Sequence, residues 1–441
     1  MNPDPTPPQE GLRAPMVGEQ LTRCNRCGLC LAACPTYLLS VVETDSPRGR
    51  NVLLAAMLDE QFPFDRDTVQ PFFECLLCGA CTEVCPTRVD VNELMIRSRE
   101  QWYENKVPPL DQQIALDKLL FQPRKLTRVM RVLSFAKRSG AAELARRLGL
   151  VRLFSPRLHA ALGWVDTLPR RFLRDRLKDM GLKVRRDAAG RYRLWQPEGE
   201  ALTSGPRVLY FVGCASNFGQ PEGAEAAIRV LIRGGCEVVV APNHCCGFPA
   251  YVAGQPDVAR RLARLNVSLL SRHTFDVIVS ECAECSYFLK RYGEILGEDK
   301  EAVRIARAVR DFTQMAADLN LPSVETRARV LYHDPCYLGR GQEIRNEPRR
   351  LLTEVLGASI APWEQADLCC GAGGFQNLLQ PRIAEGVLQR KLTGIEETRA
   401  GTLVTACPLC TTQLARGLRV AGSKIVVKHI AQVLDEALTG D

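Results

Sequence analysis

No stretch of the 441 residues reaches the roughly 18 consecutive apolar residues of a membrane-spanning helix, so the chain is not expected to cross a bilayer by itself. Its opening, MNPDPTPPQEGLRAP, has no basic start with an apolar stretch behind it, the pattern of a secretory leader. Proline-rich and polar, it reads as a disordered tail over residues 1–19. There is no glycine fingerprint for a dinucleotide in a strand–helix setting and no nucleophile beside a general base. No catalytic residue is therefore assigned. The charge balance excludes another class. Lys and Arg outnumber Asp and Glu by 58 to 50, and residues 101–200 hold 22 of the former against 10 of the latter. Aromatic residues are not interleaved with those arginines, so the stacking that nucleic-acid surfaces need is missing. A solvated helical face and a docking surface both remain open for this basic stretch.

Cysteine is not scarce. There are 19, which means disulfides in an oxidising compartment or metal in a reducing one. Residues 20–100 hold eight, residues 101–205 none and residues 206–441 eleven. The middle zone carries apolar residues three and four apart, as in LDQQIALDKLLFQ and AAELARRLGLVRLF, punctuated by Pro108, Pro109, Pro123, Pro156 and Pro169. That pattern predicts a helical connector.

The first eight cysteines fall in two runs, Cys24-x2-Cys27-x2-Cys30-x3-Cys34-Pro35 and Cys75-x2-Cys78-x2-Cys81-x3-Cys85-Pro86. This is the spacing of two-cluster ferredoxins, in which three cysteines wrap a cubane and the fourth reaches the other cluster. The expected sets are Cys24, Cys27, Cys30 and Cys85 for one [4Fe-4S] cluster, and Cys75, Cys78, Cys81 and Cys34 for the other. Zinc fits poorly, because its sites use paired CxxC units from separate segments. The 40 residues between Cys34 and Cys75 contain helical text such as RGRNVLLAAMLDE, so the module is expected to be helical over residues 20–100.

The C-terminal zone is an internal duplication. Cys214, Cys245, Cys246, Cys282 and Cys285 recur as Cys336, Cys369, Cys370, Cys407 and Cys410, at offsets of 122, 124, 124, 125 and 125. In each copy a β-branched run delivers the first cysteine, a helix and strand lead to a CCG turn, and a further helix and strand end on CxxC. Alternating strands and helices predict a small parallel-sheet α/β unit with its cysteines at the strand C-terminal ends, one over residues 206–325 and one over 326–441. The fold class expected is thus multidomain: a helical two-cluster ferredoxin module, a helical connector over 101–205, and a duplicated α/β domain. Five cysteines per copy exceed the four thiolates of a cubane. A metal cluster is the first reading and a dithiol redox site the second. Cys236, the one left over, reads as an inert buried thiol. His244, His333, Arg48 and Arg50 each have ordinary packing or surface roles as well as functional ones.

CCG repeats behind a double ferredoxin motif resemble the iron–sulfur subunit of glycolate oxidase, the heterodisulfide reductase D subunit and the anaerobic glycerol-3-phosphate dehydrogenase C subunit. Ser46-Pro47-Arg48-Gly49-Arg50 is similar to a segment of the glycolate and lactate oxidation proteins. Tyr332-His333-Asp334-Pro335-Cys336 looks more like the heterodisulfide reductases. The resemblance covers about residues 20–100 and 206–435. It implies one further iron–sulfur cluster per repeat, cubane or non-cubane. It also implies an FAD-containing dehydrogenase partner that oxidises a 2-hydroxy acid (glycolate or lactate), and a quinone or other acceptor. A cytoplasmic location is expected, at most peripheral to the inner face of the membrane. A thiol/disulfide redox subunit with its chemistry at a CCG cluster is the alternative.

Overall fold

The computed structural model describes residues 15–104, 106–164, 168–180, 183–186, 192–195 and 205–440. The first helix, Pro15–Thr22, begins inside the expected tail. It forms because Val17 is buried and the Gln20 side chain accepts the Asp90 N–H at 2.8 Å. The tail expectation is therefore corrected for residues 15–19, and residues 1–14 lie outside the described ones.

The ferredoxin module is helical throughout, as expected. Its two cysteine runs repeat at a constant spacing of 51 residues, and each turns the same way. Arg26 and Gly28 (φ 54° and 87°) and Leu77 and Gly79 (φ 53° and 72°) take left-handed conformations, which curl the chain between the first three cysteines of each run. The short helices Leu29–Ala33 and Ala80–Glu83 that follow pack on each other. The SPRGR segment starts the helix Pro47–Leu58: Ser46 caps it by accepting the Gly49 N–H at 2.9 Å, with Pro47 in the first turn. A β-carbon on Gly49 would lie 1.9 Å from the Glu43 carbonyl oxygen, so only glycine allows that approach.

Among the described residues ten strands follow: β1 Lys183–Arg186, β2 Tyr192–Trp195, β3 Arg207–Tyr210, β4 Glu237–Val240, β5 Val277–Ser280, β6 Val309–Asp311, β7 Arg329–His333, β8 Ser359–Ile360, β9 Thr402–Thr405 and β10 Val426–His429. They make one sheet per repeat, ordered β1-β2-β4-β3-β5-β6 and β10-β9-β7-β8. Pairing is parallel except at β1–β2 and β2–β4. The connector is thus not wholly helical: its last part folds back as a hairpin and adds antiparallel to β4. KVRR and YRLW carry β-branched and aromatic residues suited to strands, and pairing them covers an edge that would otherwise be open.

The repeats interlock. Helix Pro221–Arg233 of the first packs on helix Ile430–Thr439 of the second, with Arg229 and Arg233 both bonded to Asp435 at 2.6 Å. His429 lies at this seam, fully buried. Its Nδ1 accepts the Ala431 N–H at 3.2 Å, so its Nε2–H donates to the Glu281 carbonyl at 3.1 Å. Burial pushes the imidazole pKa down to about 4. The unfolded chain takes up this proton near pH 6.5, whereas the folded chain refuses it until about 4. Stability is therefore lost as pH falls between those values. His429→Asn keeps a capping acceptor without the titration. It should flatten that acid limb by about 3 kcal/mol at most, measured by denaturant unfolding of both proteins between pH 7 and 4. Parallel curves would remove His429 as the cause.

Candidate metal centres

In the ferredoxin module Cys81 lies in electrostatic range of Cys75, Cys78, Cys34 and Cys30. Cys34 also reaches Cys75, and Cys30 reaches Cys24 and Cys34. The fourth cysteine of the first run thus lies beside Cys75 and Cys81 of the second. Cys34 and Cys85 contact Thr36 and Thr87 through their Sγ atoms at 3.2 and 3.3 Å, a matched pair within the two Cys-Pro-Thr segments. Cys27 is exposed.

Two buried guanidinium groups flank these thiols. Arg50 donates to the Pro71 carbonyl at 2.7 Å and the Thr36 hydroxyl at 3.0 Å, and its Nη1 is 3.9 Å from Cys34 Sγ. Arg99 donates to the carbonyls of Phe72, Phe73, Cys75 and Val252. No carboxylate is among these partners. A cation desolvated this far needs an anion close by, and an iron–sulfur cluster held by Cys34 and Cys75 would supply one. The donor set and the charge around it therefore fit the cubane expected here. Arg48, by contrast, pairs with Glu43 at 2.7 Å and lies over the first cysteine turn, its Nη1 3.5 Å from the Arg26 carbonyl oxygen.

In the α/β repeats the cysteines gather at the C-terminal ends of the strands, as the alternating pattern predicts. Cys214 opens the helix after β3, Cys245 and Cys246 follow β4, and Cys282 follows β5. Cys246 and Cys285 Sγ are 3.6 Å apart. Cys245 contacts both Cys214 and Cys246, and Cys282 contacts Cys285. In the second repeat Cys370 and Cys410 Sγ are 3.1 Å apart. Cys336 contacts Cys369, Cys369 contacts Cys370 and Cys407 contacts Cys410. Within the thiol pairs the hydrogen bonds hold the accepting sulfurs down, Cys246 at about 6 and Cys370 and Cys407 well below the usual thiol range, and push their donating partners Cys285, Cys410 and Cys282 well above it. Cys236 is apart from both sets, its thiol pushed up to about 11 by burial. The His244 ring lies beside the Leu120 backbone, and its buried Nδ1 has no hydrogen-bond partner.

The sets are contiguous. Cys282 of the first repeat contacts Cys407 of the second, and Cys78 of the ferredoxin module contacts Cys369. Tyr337 holds the latter junction by donating to the Leu77 carbonyl at 2.7 Å. Arg340 bridges Glu83 and Asp367 at 2.7 and 3.0 Å. Beside them opens a cleft of about 800 Å³ lined by Cys78, Cys336, Tyr251, Tyr287, Arg291 and Arg340.

Arg99, Lys391 and Tyr337 escaped the sequence reading. For two of them a signal was present. Arg99 continues the buried stripe Val91, Leu94, Met95 and Ser98 of its helix, and Lys391 continues Ala384, Val387 and Leu388. A charge on an apolar stripe marks a buried anion or a carbonyl cluster.

A contiguous set of thiols fed by a two-cluster ferredoxin module defines an iron–sulfur electron-transfer protein. Two family models agree: the 4Fe-4S dicluster domain matches residues 20–89, and the cysteine-rich domain CCG matches residues 208–290 and 330–415. Along nearly its whole length the chain is similar to the "Probable glycolate oxidase iron-sulfur subunit" of Bacillus subtilis (29% identical, 95% of this chain and 94% of that one). It is likewise similar to the glycolate oxidase iron–sulfur subunit of Escherichia coli (26%, 98% and 97%). A third relative is the D subunit of dihydromethanophenazine:CoB–CoM heterodisulfide reductase from Methanosarcina barkeri (25%, 95% and 94%). By those names all three are subunits of oxidoreductases. Among the described residues no helix is long and apolar enough to cross a membrane.

Proposed function

We propose that this chain is the electron-carrying subunit of a flavin-dependent 2-hydroxy-acid dehydrogenase, with glycolate the first substrate to try. Cys24, Cys27, Cys30 and Cys85 hold one [4Fe-4S] cluster, and Cys75, Cys78, Cys81 and Cys34 the other. Each five-cysteine set of the repeats holds one more cluster. When bound, such clusters supply one-electron carriers. The chain's own residues space them, with Arg50 and Arg99 balancing charge and the Tyr337 and Arg340 junctions fixing one module against the next. The single observation that carries this reading is the continuity of the thiol sets through the Cys78–Cys369 and Cys282–Cys407 contacts. The hydroxy acid is oxidised on the flavoprotein partner, and a quinone or other acceptor takes the electrons. The cleft beside Cys78 and Cys336 is the opening through which a small acceptor comes near the thiols.

The test is anaerobic purification with the native partner, followed by addition of glycolate, lactate or glycerol 3-phosphate while cluster absorbance is recorded. Bleaching by a hydroxy acid supports the proposal, and the most effective acid names the substrate. Intact, dithionite-reducible clusters that none of the three bleaches would refute it. That outcome would leave a second reading, reduction of a disulfide at the seam between the repeats. Glu284 favours it: burial raises this carboxyl well above its usual range, and it lies near Cys407, Cys214 and Cys369 as a proton source for a departing thiolate.

A further inference from the structure

The two repeats match in their thiols and differ in what surrounds them. Three residues before the leading cysteine, the first repeat has Phe211 and the second His333. At the same 125-residue offset as the CxxC pairs, Asn266 of the first is replaced by Lys391 in the second. Glu281 and Glu284 of the first correspond to Ala406 and Leu409.

His333 ends β7 and is fully buried. Its Nδ1 lies 3.0 Å from the Ala366 carbonyl oxygen. A carbonyl only accepts, so Nδ1 carries the proton and Nε2 is left with its lone pair. Nε2 has no hydrogen-bond partner. A ring nitrogen of His333 and the Sγ atoms of Cys370 and Cys410 form a group in which all three ligand atoms lie within 4.8 Å of one another, and with Nδ1 bonded to the carbonyl, Nε2 is the nitrogen free to ligate. A buried acceptor left without a donor is destabilising. The nearby cation does not relieve it, because Lys391 donates to the Gln365 carbonyl at 2.5 Å and lies over the Trp363 ring. One imidazole nitrogen bonded to a backbone carbonyl, the other aimed among thiolates, is how histidines are oriented to bind metal.

We propose that His333 Nε2 is an iron ligand of the cluster in the second repeat, so that the two repeats hold centres of different coordination. This rests on the reading above that each repeat holds an iron–sulfur cluster. At the matching position the first repeat has Phe211, which has no donor atom, and its own histidine, His244, has a buried unpartnered Nδ1 but among the described residues is not grouped with two thiols as His333 is. A neutral imidazole at an iron adds no negative charge, and imidazole ligation accompanies a raised potential in Rieske clusters. The buried ammonium of Lys391, where the first repeat has a neutral amide, acts in the same direction. The second-repeat centre, next to Cys78, is then the more oxidising of the two, and electrons arriving from the ferredoxin module settle there first.

The experiment uses the anaerobically purified full chain with ¹⁵N-labelled histidine. Pulsed EPR of the reduced clusters reads directly bound nitrogen, and a potentiometric titration reads each midpoint. The wild type should show one cluster with a strongly coupled histidine nitrogen. His333→Phe, which copies Phe211, should abolish that coupling and move one midpoint down while the others stay. Lys391→Asn, which copies Asn266, should lower the same midpoint and keep the coupling. A fully loaded wild type without bound histidine nitrogen overturns the proposal whether or not the variants fold. So does a His333→Phe chain with unchanged midpoints. Cys370→Ser separates the two readings: if it removes no iron, the cluster in the second repeat falls and the histidine ligand with it.

Discussion

Arg99→Met should cost the protein about 3–5 kcal/mol, the range for removing one partner of a buried charged hub, and should release the iron held by the Cys75 run first. Arg99 lies on the helix Val91–Glu104, within the apolar stripe that faces the core. Its guanidinium takes the carbonyls of Phe72, Phe73 and Cys75, which lead into the second cysteine run, and the Val252 carbonyl of the first repeat at 2.5 Å. Methionine fills much of the volume and leaves four buried carbonyls without donors. Burial pushes the guanidinium pKa down to about 10, still charged at neutral pH, so the variant also strips a positive charge from beside the Cys75 thiolate. A domain of ordinary stability has only about 5–15 kcal/mol in total, which makes a loss of this size visible as a marked drop in denaturation midpoint. Arg99→Lys should recover part of it, because an ammonium reaches fewer of the four carbonyls. Iron content and guanidinium-chloride unfolding of the three proteins decide the matter. A methionine variant with full iron and an unshifted midpoint would show that the arginine is only packing.

The parts of this molecule that were legible in the sequence are those in which chemistry fixes spacing locally. Three thiolates around one cubane demand short, constant intervals, and those intervals survive at Cys24–Cys30 and Cys75–Cys81 with the left-handed turns between them. The duplication was visible because each repeat must bring the same five thiols to the ends of the same three strands. What could not be read is set by pairs remote in the chain. The Tyr337 hydroxyl meets the Leu77 carbonyl across 260 residues, and nothing near either residue announces the other. The hairpin β1–β2 was absorbed into a helical connector because its two short strands are separated by polar, glycine-containing text, and its partner edge belongs to a strand that comes later. In the sequence His333 has an ordinary packing role open to it as well as a functional one. Only the Ala366 carbonyl, which fixes its tautomer, and the two thiols beyond it change that reading.

Tyr337→Ala should separate the ferredoxin module from the second repeat. The ring stands 4.7 Å from Phe248 and 5.0 Å from Tyr287, centroid to centroid, so it closes an aromatic cluster shared by both repeats. Its hydroxyl reaches into the left-handed turn of the second cysteine run. Truncating a buried ring of this size costs about 3–5 kcal/mol, with the loss concentrated at one junction. Tyr337→Phe removes only the hydrogen bond. The Leu77 carbonyl keeps a second donor in the Asn92 side chain at 3.0 Å, so that variant should lose only about 1 kcal/mol. The two substitutions therefore divide packing from hydrogen bonding at one position. Their consequence for electron flow is sharper than for stability, because the Cys78–Cys369 contact lies at the same junction. In the complex with its partner, the ferredoxin clusters of the alanine variant should still bleach at the wild-type rate when hydroxy acid is added. The centre in the second repeat should follow more slowly, on the order of 10–100-fold, as when outer-shell supports of a metal site are removed. Stopped-flow absorbance would then split into two phases where the wild type and Tyr337→Phe show one. A single unslowed phase in the alanine variant would mean that electrons do not pass from Cys78 to the second repeat, and that the order of centres inferred from the thiol contacts is wrong.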